Sequence, residues 1–134
     1  MNHKKIELEW GKRTYVMGVL NFTPDSFSGD GIMQEQDPIQ YVLKKASQFI
    51  EDGADILDIG AESSRPGSKP ISAAVELERL LPILKALRKD NVGGIISIDT
   101  YKSEVAKQCL ENGADWINDI WGLKKDADLA NIIS

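Results

Sequence analysis

The chain has 134 residues, 42% of them hydrophobic and 28% charged, with a formal net charge of −5. This is the make-up of one soluble globular domain large enough for a core, and its acidic balance speaks against non-specific nucleic-acid binding, which needs a basic face. The single cysteine, Cys109, excludes an internal disulfide and suits a reducing cytoplasm. No apolar run nears the roughly 18 residues of a membrane span, and the segment Met1 to Trp10 lacks the apolar stretch of a secretory signal.

In chain order, Ile6 to Trp10 alternate, Gly11-Lys12 offers a turn, and Thr14 to Phe22 is apolar again, which predicts a small β-hairpin leading into a first buried strand. Asp37 is placed to cap a helix with Pro38 at its first position. Ile39, Val42, Leu43, Ala46, Phe49 and Ile50 recur on one face, and Gly53 stops the helix. Ile56 to Gly60 is a second strand. Ser72 opens a second helix with Leu77, Leu80, Leu81, Leu84 and Leu87 on its inner face, and Pro82 inside it predicts a kink or a short first segment. Gly94 to Ile98 is a third strand. Ser103 starts a third helix with Val105, Ala106, Cys109 and Leu110 inward, ended by Gly113. Trp116 to Ile120 is a fourth strand, and Asp126 begins a fourth helix.

Helices between strands require parallel pairing through right-handed crossovers, and strands that read as continuous apolar runs are buried on both faces. The fold class is therefore α/β, built of parallel (β/α) units in one domain over residues 1–134. An internal echo supports repetition: Glu51 to Ile59 (EDGADILDI) resembles Glu111 to Asp119 (ENGADWIND) at an offset of 60 residues. That is two units of about 30 residues, the unit size of a (β/α)₈ barrel of about 250 residues.

In such folds ligands bind beyond the carboxyl ends of the strands. Polar groups stand at four strand ends: Asn21, Asp58 with Glu62, Asp99, and Asn118 with Asp119. Each has a local explanation, since Asp99 can cap the turn Thr100-Tyr101 and Asp58 can bind backbone amides or Arg65. Convergence of four ends on one mouth favours a site, and acceptors of this kind suit a flat heterocycle rich in N–H groups, such as a pterin or purine. Two loops flank them, Asn21 to Gly31 (NFTPDSFSGDG) and Ala61 to Pro70 (AESSRPGSKP). Arg65 can grip a phosphate, Ser63 and Ser64 can add donors, Asn21 and Asp25 offer hard oxygens for Mg²⁺, and loops of this length and polarity read as mobile lids. No nucleotide-loop or nucleophile-elbow motif is present, and Ser63 and Ser64 lack a histidine partner, the only histidine being His3. Cys109 and the tryptophans Trp10, Trp116 and Trp121 read as packing residues.

MGVLNFTPDSFS (Met17 to Ser28), LDIGAESSRPGS (Leu57 to Ser68), SIDTYKSEVA (Ser97 to Ala106) and INDIWG (Ile117 to Gly122) together resemble dihydropteroate synthase. The resemblance implies a (β/α)₈ barrel of which this chain is the N-terminal half, about four of eight units, truncated at the C-terminus. It implies condensation of a dihydropterin-CH₂-diphosphate with p-aminobenzoate, with release of pyrophosphate and help from Mg²⁺. Asn21 matches the family's residue at metal and diphosphate, with Arg65 its catalytic-loop arginine. Asp99, Asn118 and Asp58 match the pterin pocket, and Ser64, Arg65 and Ser63 the diphosphate–aminobenzoate site. Asp25, Phe27 and Asp30 fall on the mobile loop. This loop reads SFSGDG where the family commonly has SFSDGG, so its aspartate is displaced to Asp30, and Ser64 stands where threonine is common. A half-barrel is expected to be inactive alone and to associate as a homodimer or with its other half. Two alternatives stand beside this reading. One is a pterin-binding methyltransferase domain that handles no diphosphate, against which Arg65 and the NFTPDSFS loop argue. The other is a non-catalytic half-barrel assembly.

Overall fold

The computed structural model describes residues 7–23, 37–63 and 66–134. The apolar runs form one parallel sheet of four strands, β1 (Met17–Asn21), β2 (Ile56–Gly60), β3 (Ile95–Asp99) and β4 (Trp116–Asn118), in spatial order 1-2-3-4. The helices α1 (Pro38–Glu51), α2 (Ala73–Lys89) and α3 (Ser103–Glu111) are the crossovers, and α4 (Leu129–Ile133) follows β4. When sequential strands are also spatial neighbours, right-handed crossovers place every helix on the same side of the sheet. That is the winding of a barrel; a doubly wound sheet reverses direction at a switch point and takes helices on both faces.

The two faces of the sheet differ accordingly. Leu20, Leu57, Ile59, Ile96 and Ile98 face the helices and join one core with Val42, Leu43 and Ala46 of α1, Leu80, Ile83, Leu84 and Leu87 of α2, and Val105 and Cys109 of α3. Burying each such side chain contributes about 1.5–3 kcal/mol. Cys109 is fully enclosed, and burial pushes its thiol up to about 12, so it acts as a small apolar residue. The alternate residues, Asp58 and Gly60, Ser97 and Asp99, Asn21 and Asn118, point to the other face.

Local signals place the elements. Asp37 Oδ1 accepts from the Ile39 amide at 3.0 Å with Pro38 at the first helical position, and Ser72 Oγ accepts from the Val75 amide at 3.3 Å. Gly53 and Gly113 end α1 and α3 at φ +100° and +106°, a region costly for residues with a Cβ. The 60-residue echo is one device used twice. Asp55 accepts from the Val16 amide at 2.9 Å and from Arg13 at 2.6 and 3.0 Å. Asp115 accepts from the Ile96 amide at 2.8 Å and from Arg88 at 2.6 Å. Each aspartate ties the start of its strand to the neighbouring one.

Five expectations change. Among the described residues the turn at Trp10–Lys12 forms, but no strand pairs across it, so the hairpin does not appear there. Helix α2 runs as one segment through Pro82 and does not start as a short separate piece; the single bond forgone would go to the exposed Glu78. β4 stops at Asn118, since the Asp119 carboxylate turns back onto the amides of Trp121 (2.9 Å) and Leu123 (2.7 Å). Asp126 does not start the last helix, which begins at Leu129; its carboxylate accepts from the Ser103 amide at 2.7 Å and so caps α3 from a distance. Trp10 is 73% exposed and stacks on Trp116 at a ring separation of 6.4 Å, and Trp121 is 47% exposed, so neither fills the core.

Candidate functional site at the carboxyl ends of the strands

Parallel register lines up Asn21, Gly60, Asp99 and Asn118 as one row across the four strand ends, with Asp58 and Ser97 one row deeper. Because paired residues share a face, the sequence-predicted residues Asn21, Asp58, Asp99 and Asn118 converge. Asp58 is 3% exposed. Its Oδ2 accepts from Asn118 Nδ2 at 2.9 Å across the intervening strand, while Oδ1 has no partner among the described residues. A buried carboxylate oxygen left unmatched is costly to the fold. The Asn118 bond is the partner that Asp58 takes here.

Asp99 is pushed up to about 6 by burial first and then by the like charges of Asp58, Glu76, Asp119 and Glu62. It does not cap the turn after it: Thr100 Oγ1 does, accepting from the Lys102 amide at 3.2 Å. Gly60 keeps the row open. A Cβ there would lie 3.4 Å from the Asp99 carboxylate and 3.6 Å from Asn21 Oδ1, in the space between two acceptors.

Beside this row a cavity of about 210 Å³ is enclosed by three successive loops. The β2–α2 loop supplies Glu62, Ser63, Ser68 and Pro70, the β3–α3 loop Thr100 and Tyr101, and the β4–α4 loop Asp119, Trp121 and Lys125, with Asp99 on the wall. Lys125 Nζ lies 4.4 Å from the ring centres of both Tyr101 and Trp121. Ser63 thus borders the cavity, and its carbonyl accepts from Ser68 Oγ at 2.5 Å. Ser64 and Arg65, and the loop residues Asp25, Phe27 and Asp30, lie outside the described residues.

One constellation escaped the sequence reading. Lys102 Nζ donates to Glu62 Oε2 at 2.7 Å and to Glu76 Oε2 at 2.6 Å, with Glu76 almost fully buried in the first turn of α2. No motif marks it, because it joins three separate segments through space. Chemically, the row offers acceptors on Asp58, Asp99 and Asn21 and a mixed amide on Asn118, a pattern that fits a planar heterocycle presenting ring N–H and amino donors. Among the described residues no group of three or more His, Cys, Asp or Glu side chains is placed to hold a metal, and no helix is long and apolar enough to cross a membrane.

Known proteins resemble this chain in sequence and in fold. The chain is 49% identical over 126 residues to dihydropteroate synthase of Clostridium beijerinckii, covering 94% of this chain and 45% of that protein. It is 43% identical over 129 residues to the Bacillus subtilis enzyme, covering 96% and 44%. The chain therefore spans about half the length of these relatives. Among solved structures, dihydropteroate synthase of Clostridium difficile in the presence of pteroic acid superposes with a TM-score of 0.84 at 43% identity, over 94% of this chain and 46% of that one. The Xanthomonas albilineans enzyme with 4-aminobenzoic acid gives 0.80 at 36%, over 90% and 43%. The family model described as pterin binding enzyme matches residues 17–134, and the chain belongs to that family.

Proposed function

We propose that this chain supplies the N-terminal half of a dihydropteroate synthase, the enzyme that joins a dihydropterin-CH₂-diphosphate to p-aminobenzoate and releases pyrophosphate. The observation that carries the proposal is the row of acceptors at the strand ends: Asp99 and Asn118, with Asp58 fixing the Asn118 amide from below. A pterin's N–H and amino groups meet these acceptors edge-on. Ser63 borders the cavity where diphosphate and aminobenzoate would lie, and the family resemblance assigns Ser64 and Arg65 to the same part of the site.

The chemistry asks for little acid–base work. Departure of diphosphate leaves a methylene cation delocalised into the pterin ring, which the aminobenzoate amine attacks; the amine proton is then lost. The acidic row around Asp99 stabilises positive charge on the ring, and Arg65 balances the departing negative charge. Asn21, an exposed amide at the end of β1, is the described residue that suits Mg²⁺. That ion takes few protein oxygens and completes its shell with water and phosphate, so a lone amide oxygen beside the pocket fits it. When bound there, the ion would neutralise diphosphate charge.

The same reading makes the protein cytoplasmic, with small-molecule substrates, no nucleic-acid or membrane partner, and self-association or pairing with the second barrel half. Calorimetric titration of the chain with pterin diphosphate and Mg²⁺ tests the pocket. Binding that is lost on Asp99→Ala and on Asn118→Ala supports it, and binding indifferent to both sinks the assignment.

A further inference from the structure

Two cations hold the loop after β2 at its base. Arg79 of α2 donates to the Ala61 carbonyl at 2.9 Å, and Lys102 donates to Glu62 at 2.7 Å. Glu62 Oε2 accepts in turn from the Ile71 amide at 3.0 Å, so one carboxylate closes the loop that runs from Glu62 to Ile71. Lys102 is itself anchored by Glu76, whose side chain is 1% exposed in the first turn of α2. The Lys102 side chain is 16% exposed, and its two partners hold its proton firmly, raising it to about 12 against the opposing effect of burial. It is therefore a permanent cation in a fixed place, and bonds of this charge-assisted kind are about twice as strong as neutral ones.

We propose that Lys102 is a positioning residue, which sets the β2–α2 loop against the strand-end row by bridging Glu62 to the buried Glu76. The inference rests on the synthase reading above. The geometry has a direction: Lys102 bonds through Glu62 to the loop bearing Ser63, and among the described residues it makes no hydrogen bond or ion pair with Asp99, Asn118 or Asp58. Loosening the bridge displaces the aminobenzoate and diphosphate side of the site and leaves the pterin row in place. A displacement of about 1 Å in a positioned group is enough to cost much of the rate.

The test is steady-state kinetics and pterin binding on the intact enzyme with Glu62→Gln, Lys102→Met, their double variant and Lys102→Arg. Glu62→Gln keeps an acceptor for the Ile71 amide and leaves the Lys102–Glu76 pair whole, so it folds even where Lys102→Met does not. Glu62→Gln leaves Lys102 a neutral oxygen in place of the carboxylate, and is expected to raise KM for p-aminobenzoate about three-fold, with the Kd for pterin diphosphate within about two-fold of wild type. Lys102→Met gives the same split, the double variant is no worse than the more severe single one, and Lys102→Arg recovers part of the loss. Equal losses for both substrates, or additive effects in the double variant, overturn the proposal and leave the bridge a purely structural one. A wild-type enzyme that forms no dihydropteroate overturns the synthase reading instead.

Discussion

The two ends of the sheet handle their acids in opposite ways. At the amino end, Asp55 and Asp115 each meet an arginine and a strand amide, within 2.6 to 3.0 Å. The bond from Arg13 and then the Val16 amide hold the Asp55 carboxyl below its usual range. At the carboxyl end, Asp58 keeps an oxygen without a partner among the described residues, and Asp99 is pushed up by burial and surrounding acids. Paired acids stabilise a fold; crowded acids are tolerated where a ligand supplies the missing donors. On the proposed function, the same parallel units carry stability at one end and recognition at the other.

Removing charge at the crowded end should break recognition first. Asp99→Ala is expected to weaken pterin binding by on the order of 100-fold, the loss of a charge-assisted contact, read by calorimetry, while the urea midpoint holds or rises. The reverse pattern is expected of Asp115→Ala. It strands the Ile96 amide and removes the ion pair with Arg88, which keeps the Gly113 carbonyl, costing about 2 kcal/mol of stability in urea unfolding with pterin affinity unchanged. A loss of affinity there, without unfolding, would erase the distinction between the two ends.

The remaining tests use pH. Asp99 takes its proton more readily folded than unfolded, so its contribution favours the fold below about pH 4 and is lost as pH climbs through about 6. Asp99→Asn should flatten that fall when stability is followed from pH 4 to 7. Asp55 has the opposite sign: its contribution is present above its unfolded value near 4 and is lost as pH falls through the lower folded one. Asp55→Asn should therefore remove part of the acid destabilisation, the smallest of these effects because its partner Arg13 is solvent-exposed.

Much of this was legible in order along the chain. The Ile56–Gly60 strand, the Asp37 and Ser72 caps and the Gly53 and Gly113 stops follow from local pattern and backbone preference, and the structure keeps them. The strand-end residues were legible too, because a polar residue closing an apolar run is conspicuous. Features that depend on distant segments were not. The sequence contains Asp126 and Ser103 but nothing that says one caps the other's helix, and among the described residues the turn at Trp10–Lys12 has no paired strand despite its alternating residues.

The sequence by itself determined the repeating unit, the parallel α/β class, and the kind of chemistry its strand ends invite, since periodicity and residue type act over a few residues. Only the tertiary structure decided which acids are satisfied. Asp55 and Asp58 are three positions apart on adjoining stretches of chain, yet among the described residues one meets Arg13 and the Val16 amide while the other meets only the Asn118 amide. Their partners lie about 40 and 60 residues away. The energy of a charge is set by what surrounds it in space.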